Sequence, residues 1–383
     1  MGPVDPATLP SKAPLLPQAG ASPVDAPREN PISHDSLPPL SMQLNLADFV
    51  LTAGRTLSPK AWAYYSSASD DLITKERNSS ALSSIILRPR IFKDVEKVST
   101  SITLLKGTQP SSLPLFVSPA AMARLAHPDG ECGIARACGK HGIIQAVSNN
   151  ASQSIEHIAS ARVFPKQPQW FQLYVQTSRS KSEAVLKRVN EAGYTAIVLT
   201  LDAPTPGKRE ADERVKNLGN TASAISGEGV SNPTTSPGEG LGRALFAGTA
   251  PNITWDDLPW LRSQTPLPII LKGIQTHEDA LLAAHHPLVD GILLSNHGGR
   301  AMDTAPPPIY TLLEIRQHCP EVFDKIEVYA DGGVKRGTDV VKALCLGAKA
   351  VGIGRAALYG LAGYGEEGVS RVIQSRIFLT PYK

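Results

Sequence analysis

The chain has 383 residues, 42% of them hydrophobic and 19% charged, enough to bury a large core. A formal net charge of +3 is too small to imply a nucleic-acid or anionic-membrane partner, and no apolar run approaches the roughly 20 residues of a membrane span. Its four cysteines, Cys132, Cys138, Cys319 and Cys345, form no CxxC pair, so neither a zinc site nor a disulfide framework is expected.

Residues 1–40 contain ten prolines and few large apolar side chains. Such a segment cannot offset its ordering entropy by burial, so a disordered tail is expected, followed by one domain over 41–383. The N-terminus has no charged-then-apolar signal pattern, Pro6 breaks the myristoylation pattern, and the chain ends in PYK rather than SKL. A cytoplasmic protein is the expectation. A helical region follows from about Leu44 to Ser84, with Ser58 as N-cap and Pro59 at the first helical position.

From about Leu113 a rhythm sets in. Eight short apolar runs recur, at 113–119, 142–148, 170–175, 196–202, 267–273, 291–296, 326–333 and 350–355. Helix-like stretches such as 180–193 and 277–286 separate them, and Gly193 fits a helix C-terminal cap. Strands alternating with helices predict βαβ units, and eight of them predict a (β/α)8 barrel. A doubly wound sheet is the alternative, but no GxGxxG follows the first strand. Over 60 residues separate Asp202 from Ile269, including a Gly/Ser/Pro-rich stretch at 219–242. A loop of that length after the fourth strand reads as a mobile lid or as a tolerated insertion.

Barrel active sites form at strand C-termini, and those positions carry polar residues. In order they are Ser118 to Ala121, Ser148, Gln172 with Tyr174, Thr200 with Asp202, and Lys272. The sixth strand is followed by SNHGGRAMD, which places Ser295, His297 and Arg300 around two glycines. His297 titrates near neutral pH, and Arg300 offers a fork suited to a carboxylate or phosphate. The last two strands end in DGGVKRG and GIGR, where glycines bare backbone N–H groups and Lys335 and Arg355 add positive charge. The loops after strands seven and eight are the usual barrel phosphate site. Other features have plain readings. His127 looks like a turn residue, His285 and His286 sit at a helix end, Trp170 is packing, and 75–77 is a solvated helix face.

Seven ordered blocks between about residues 45 and 373 resemble the FMN-dependent α-hydroxy acid dehydrogenase/oxidase family: AYYSSASDD, SPAAMARLAHPDGE, FQLYV, LTLDAPTPGKREAD, LPIILKG, SNHGGRAMD and YADGGVKRGTDVVKALCLGAKAVGIGR. The resemblance implies FMN as cofactor, on the C-terminal face of the barrel. Asp331, Gly333, Lys335, Gly354 and Arg355 would hold its phosphate. Ala120, Ala121, Ser148, Gln172, Thr200, Lys272 and Ser295 would contact its ring. Arg209 and Arg300 would grip the carboxylate of a 2-hydroxy acid, Tyr64 and Tyr174 would hydrogen-bond it, and His297 would act as base with Asp202 orienting it. The implied reaction takes an L-2-hydroxy acid to a 2-oxo acid, in primary metabolism or in tailoring a specialised metabolite. No HPGG-type haem pattern occurs in residues 1–60, so O2 or a soluble acceptor is expected to take the electrons. Family members are often homotetramers.

The sequence departs from the family pattern at four places. Lys335 stands where arginine is usual, Ala68 where glycine is usual, and Asn149–Asn150 where Ser-Trp is common. Lys335 can still bind phosphate as a point charge, while Ala68 and Asn149–Asn150 predict a pocket unlike that of glycolate oxidase. The C-terminus stops early, and Pro381 predicts a short last helix that leaves the barrel seam poorly covered. The alternative to catalysis is therefore a degenerate or truncated flavin-binding protein.

Overall fold

A computed structural model describes residues 36–216, 221–230 and 240–377. Eight parallel strands close into a barrel: β1 Leu115–Val117, β2 Ile144–Val147, β3 Gln169–Leu173, β4 Ala196–Thr200, β5 Ile269–Ile274, β6 Gly291–Leu294, β7 Glu327–Asp331 and β8 Ala350–Ile353. Each lies within or beside one of the eight apolar runs. Both faces of these strands are buried, which is why they read as continuous apolar stretches rather than as alternation.

Inward positions fill the barrel. Phe116, Ile144, Trp170, Val198, Ile270, Leu293 and Tyr329 form one cluster, separate from the larger core between strands and helices. Trp170 is fully buried there, its ring 5.2 Å from Phe116 and 5.3 Å from Tyr329. Its indole N–H donates to Gln109 Oε1 at 2.7 Å. Gln109 belongs to a hairpin, Ile102–Leu104 with Gln109–Ser111, whose Leu104 and Leu105 join the same cluster. Truncating Trp170 to alanine would cost about 3–5 kcal/mol. Phe171, its neighbour, points the other way onto Tyr194 and does not flank the site.

Three helices precede the barrel: α1 Leu46–Thr56, α2 Pro59–Ser66 and α3 Ile73–Ser84. Ser58 caps α2 as expected, accepting from Ala61 N at 3.2 Å with Pro59 at the first position. α3 lies against the loops after β6 and β7. Asn78 and Asn296 exchange two amide hydrogen bonds, at 2.9 and 2.7 Å, and Asp303 accepts from the N–H groups of Asp71, Ile73 and Thr74. α4 Gly130–Lys140, α5 Ile155–Ser160 and α6 Arg179–Glu191 follow the first three strands. Gly193, just past α6, has a φ of +70°, the left-handed cap that glycine supplies.

The expected short last helix is corrected. The segment after β8 is helical over Arg355–Ile377, broken only at Tyr364–Gly365 into two pieces. Val369, Val372 and Ile373 are fully buried, and the segment packs on both α1 and α4. Glu366 pairs with Arg136 at 2.5 Å and Lys140 at 2.6 Å of α4. The seam between β8 and β1 is thus covered. Pro381 lies outside the described residues, as does most of the 1–40 tail. Within that tail, Pro38 O accepts from Tyr364 Oη at 2.6 Å, and Leu40 starts a short 3-10 turn.

The connection between β4 and β5 is partly ordered. It holds α7 Glu210–Arg214, a two-residue hairpin at 221–222 and 229–230, α8 Leu241–Ala244 and α9 Leu258–Gln264. The stretches 217–220 and 231–239 of the expected lid lie outside the described residues.

Candidate active site

A cavity of about 440 Å³ opens at the C-terminal end of the barrel, between the strand ends, α2, α3 and the β4–β5 connection. Of the residues assigned by sequence to catalysis, substrate or FMN, all but Asp202 and Ser295 line it, and those two are hydrogen-bonded directly to residues that do; Ala68 and Asn149, expected to shape the pocket, do not line it.

Its polar centre is a buried chain of groups. Asp202 Oδ1 lies 2.7 Å from His297 Nδ1, and Asp202 Oδ2 lies 3.2 Å from Lys272 Nζ. The ammonium also donates to Ser295 Oγ at 2.9 Å. His297 Nε2 stands 3.3 Å from Tyr174 Oη and faces the cavity. Burial alone would raise the Asp202 carboxyl, but His297 and Lys272 beside it reverse this and hold it far below the usual range. Burial lowers the His297 imidazole, and the Asp202 charge opposes that only in part.

The backbone explains how these groups meet. Gly273 has a φ of +106°, and the register between β5 and β6 slips there. A Cβ on Gly273 would lie 2.5 Å from Asp202 Cβ, so only glycine lets Asp202 approach Lys272. His297 itself has a φ of +58°, a left-handed conformation unusual for a residue with a side chain. Its N–H donates to Ser295 Oγ at 3.1 Å, and two left-handed glycines follow. The second, Gly299, lies against Lys75 N, where a Cβ would come within 2.7 Å. Histidine followed by two glycines therefore serves to press this turn onto α3.

Two guanidinium groups approach from one side. Arg209 is 4% exposed; its Nε donates to Arg300 O at 3.2 Å, and its charged end lies over the Phe246 ring. Burial and the neighbouring Arg300 push Arg209 down to about 10, so it stays charged at neutral pH. Arg300 Nη1 donates to Tyr64 O at 2.8 Å, Ser67 O at 3.0 Å and Tyr65 O at 3.3 Å. That anchors one end of its fork. The Tyr64 and Tyr174 phenols are raised by burial and are neutral hydrogen-bonding groups.

The far side of the cavity has the donors of a phosphorylated, heterocyclic group. Among the described residues, six buried side-chain atoms have no hydrogen-bond partner, and Gln172 Nε2, Thr200 Oγ1 and Arg355 Nη1 are three of them. All three line this cavity. Gln172 Oε1 accepts from Ser148 Oγ at 3.2 Å and Asn149 N at 3.1 Å, which turns its NH2 toward the cavity. Arg355 Nη2 is fixed to Gly298 O at 2.7 Å, leaving Nη1 free. A Cβ on Gly354 would meet only Ser118 Cβ at 4.0 Å, an open approach to backbone. Asp331 Oδ2 accepts from Ser118 Oγ at 2.9 Å, and Lys335 is exposed at the rim. Orphaned donors in a cradle of this kind fit FMN. Among the described residues there is no His/Cys/Asp/Glu group suited to a metal ion, and no helix is long and apolar enough to cross a membrane.

Leu245, Phe246 and Lys75 are among the lining residues that the sequence did not point to. Leu245 and Phe246, from the β4–β5 connection, close the cavity; the Phe246 ring is 4.9 Å from Tyr174 and 6.3 Å from His297. Lys75, expected on a solvated face, lines the cavity beside the phosphate loops. Asn150 lines it too, but its carboxamide is engaged by the same connection. It accepts from Ser226 Oγ at 2.8 Å and donates to Leu245 O at 3.1 Å. His127 is a turn residue as expected, accepting from Asp129 N at 3.1 Å.

The chain resembles known proteins along most of its length. The sequence profile of the family described as FMN-dependent dehydrogenase matches residues 53–376. The chain is 41% identical over 339 residues to the L-lactate dehydrogenase (cytochrome) of Wickerhamomyces anomalus, covering 88% of this chain and 58% of that protein. It thus spans little more than half the length of that relative. It is 41% identical over 332 residues to a peroxisomal (S)-2-hydroxyacid oxidase of Arabidopsis thaliana, covering 86% of this chain and 88% of the oxidase. Among solved structures, the recombinant flavin-binding domain of baker's yeast flavocytochrome b2 superposes with a TM-score of 0.79 at 40% identity, covering 90% of this chain and 82% of that one.

Proposed function

The chain belongs to the FMN-dependent dehydrogenase family, and from that premise we propose that it oxidises an L-2-hydroxy acid to the 2-oxo acid. One observation carries the reading: His297 presents Nε2 to a cavity that Arg209 and Arg300 also line, while Asp202 holds its other nitrogen at 2.7 Å. FMN, held by the Gln172, Thr200, Lys272, Arg355 and Gly354 side of the cavity, supplies the acceptor for two electrons. Arg209 and Arg300 bind and orient the substrate carboxylate, a task for which a guanidinium fork suits better than an ammonium. Tyr64 and Tyr174 position the carboxylate and the hydroxyl. His297 takes the hydroxyl proton at Nε2, and Asp202 fixes the ring's tautomer and stabilises the cation formed. Lys272 keeps a fixed positive charge where negative charge develops, in a site partly lined by Leu245 and Phe246.

We place 41–383 in one catalytic barrel domain and the electrons on O2 or a soluble acceptor. Four free cysteines, three of them buried, suit the reducing cytoplasm. Self-association is supported by an extended segment with Ile86, Ile91 and Phe92 at 83, 78 and 99% exposure, and we assign a homotetramer. We leave the acid open, a specialised metabolite included, since Asn150 alone of the altered 149–150 pair lines the cavity.

The test is anaerobic mixing of the purified yellow protein with a panel of L-2-hydroxy acids. Bleaching of the flavin by any member supports the reading. A protein that keeps its flavin and is bleached by none would instead be a flavin-binding relative without catalysis.

A further inference from the structure

Arg209 carries no ion pair among the described residues, although Asp212 stands on the same short helix one turn further on. Asp212 is 1% exposed, and a buried carboxylate beside a buried guanidinium would ordinarily pair with it. The two groups are close. A Cβ on Gly242 would lie 2.3 Å from Arg209 Nη1 and 3.2 Å from Asp212 Oδ2, so both crowd one point in space.

What separates them is Lys60 of α2. Its ammonium lies 2.8 Å from Asp212 Oδ1 and donates to Asp212 O at 2.7 Å and Val215 O at 3.1 Å. Two carbonyl oxygens thus accept from this ammonium, and Asp212 Oδ1 lies against it as an ion pair without a hydrogen bond. The other carboxylate oxygen, Oδ2, accepts from Gly242 N at 2.8 Å, which also fixes the start of α8. Oδ2 is thus hydrogen-bonded, and Oδ1 ion-paired, away from Arg209. Among the described residues, the guanidinium donates one side-chain hydrogen bond, from Nε to Arg300 O.

We infer that Lys60 is a positioning residue for anion binding: by engaging Asp212 it prevents an internal Arg209–Asp212 ion pair and so keeps Arg209 open to the substrate carboxylate. This rests on the preceding reading of Arg209 as a carboxylate-binding group. An internal pair formed in this dry site would have to be broken before every binding event, and the substrate would compete with a tethered carboxylate. The arrangement also links α2, which carries Tyr64, to α8, which leads into Phe246.

The test uses the FMN-loaded enzyme and oxalate, a small carboxylate with no hydrogen on carbon to lose. Oxalate affinity is read from the change in flavin absorbance, beside kcat and KM for whichever hydroxy acid bleaches the flavin. Lys60→Met is expected to weaken oxalate binding roughly 10- to 100-fold and to raise KM more than it lowers kcat. Asp212→Asn, which removes the competitor, should leave oxalate affinity within about twofold of the parent. Adding Lys60→Met to Asp212→Asn should cause little further loss. A merely structural brace would behave otherwise, because Asp212→Asn would weaken binding as much as Lys60→Met and the double variant would be no better. That outcome, or unchanged oxalate binding in Lys60→Met, overturns the inference. If Lys60→Met fails to retain flavin, Asp212→Asn decides alone, with a tenfold loss of oxalate affinity counting against it. Arg209→Met separates the two readings. If it leaves oxalate binding intact, the assignment of Arg209 itself is wrong; if it weakens binding while Lys60→Met does not, only the role of Lys60 falls.

Discussion

His297 Nδ1 sits 2.7 Å from Asp202 Oδ1, in a turn that gives His297 a φ of +58°. Strain of this kind is kept where surrounding structure over-determines it, and here Ser295, Gly298 and Gly299 do so. Burial lowers the imidazole from 6.5 more than Asp202 raises it, so the ring is neutral at pH 7 and Nε2 can accept a proton. kcat/KM is therefore expected to rise with pH through a value below 6.5 and then stay flat through neutrality. The stability effect has the same sign. The folded value lies below the unfolded one, so the contribution is full above 6.5 and is lost as pH falls through the folded value. His297→Ala should retain flavin and slow its reduction by about 10²–10⁴-fold in stopped-flow mixing. Flavin reduction at the parent rate in that variant would remove His297 from the chemistry.

Arg355 offers a separate test of the cofactor side. Its Nη2 is tied to Gly298 O at 2.7 Å and its Nη1 is buried without a partner. If Nη1 meets the FMN phosphate, Arg355→Met should weaken FMN binding roughly 10- to 100-fold and hardly change riboflavin binding. Fluorescence titration of the apoprotein with each flavin reads this directly. Equal losses for both flavins would mean that Arg355 only supports the loop.

Much of this was legible in sequence because barrels repeat one physical unit. Strands buried on both faces give unbroken apolar runs, and polar residues at their C-terminal ends, such as Gln172, Thr200 and Lys272, stand out against them. Leu245 and Phe246 were not legible. They belong to a connection with no period, and their value comes from tertiary closure over Tyr174 and His297. Lys75 looked solvated because helical spacing cannot reveal that α3 lies across the strand ends. The last helix looked short because Pro381 is a helix breaker by sequence, while the break lies at Tyr364–Gly365 and the helix resumes beyond it.

Glu131 predicts a stability effect away from the chemistry. It is 1% exposed; Oε1 accepts from Ala123 N at 2.9 Å and Ser152 N at 2.8 Å, and Oε2 accepts from Ser152 Oγ at 2.7 Å. This one carboxylate joins the loops after β1 and β2, which carry Ala121 and Ser148. Glutamine can keep one set of acceptor contacts but presents an NH2 to a hydroxyl that now donates. Glu131→Gln should therefore lower stability by about 1–3 kcal/mol. A thermal melt followed by flavin release should show a fall of a few degrees, and an unchanged melting temperature would contradict it.

Phe92 predicts the oligomeric state. It is 99% exposed, next to Ile91 at 78%, and neither side chain belongs to the barrel's apolar core. Its φ of +52° fixes this outward display in a conformation unusual for a bulky side chain. Burying one such ring against another copy is worth about 1.5–3 kcal/mol, repeated at every symmetric contact. A charge placed there would be desolvated at the same contact. Phe92→Asp is thus expected to shift the protein toward smaller species in light scattering coupled to size exclusion. Flavin content should stay at the parent level, because residues 85–99 line no part of the cavity. Identical masses for the two proteins would show that this segment does not join the subunits. Loss of flavin together with loss of assembly would show that the barrel depends on its neighbours.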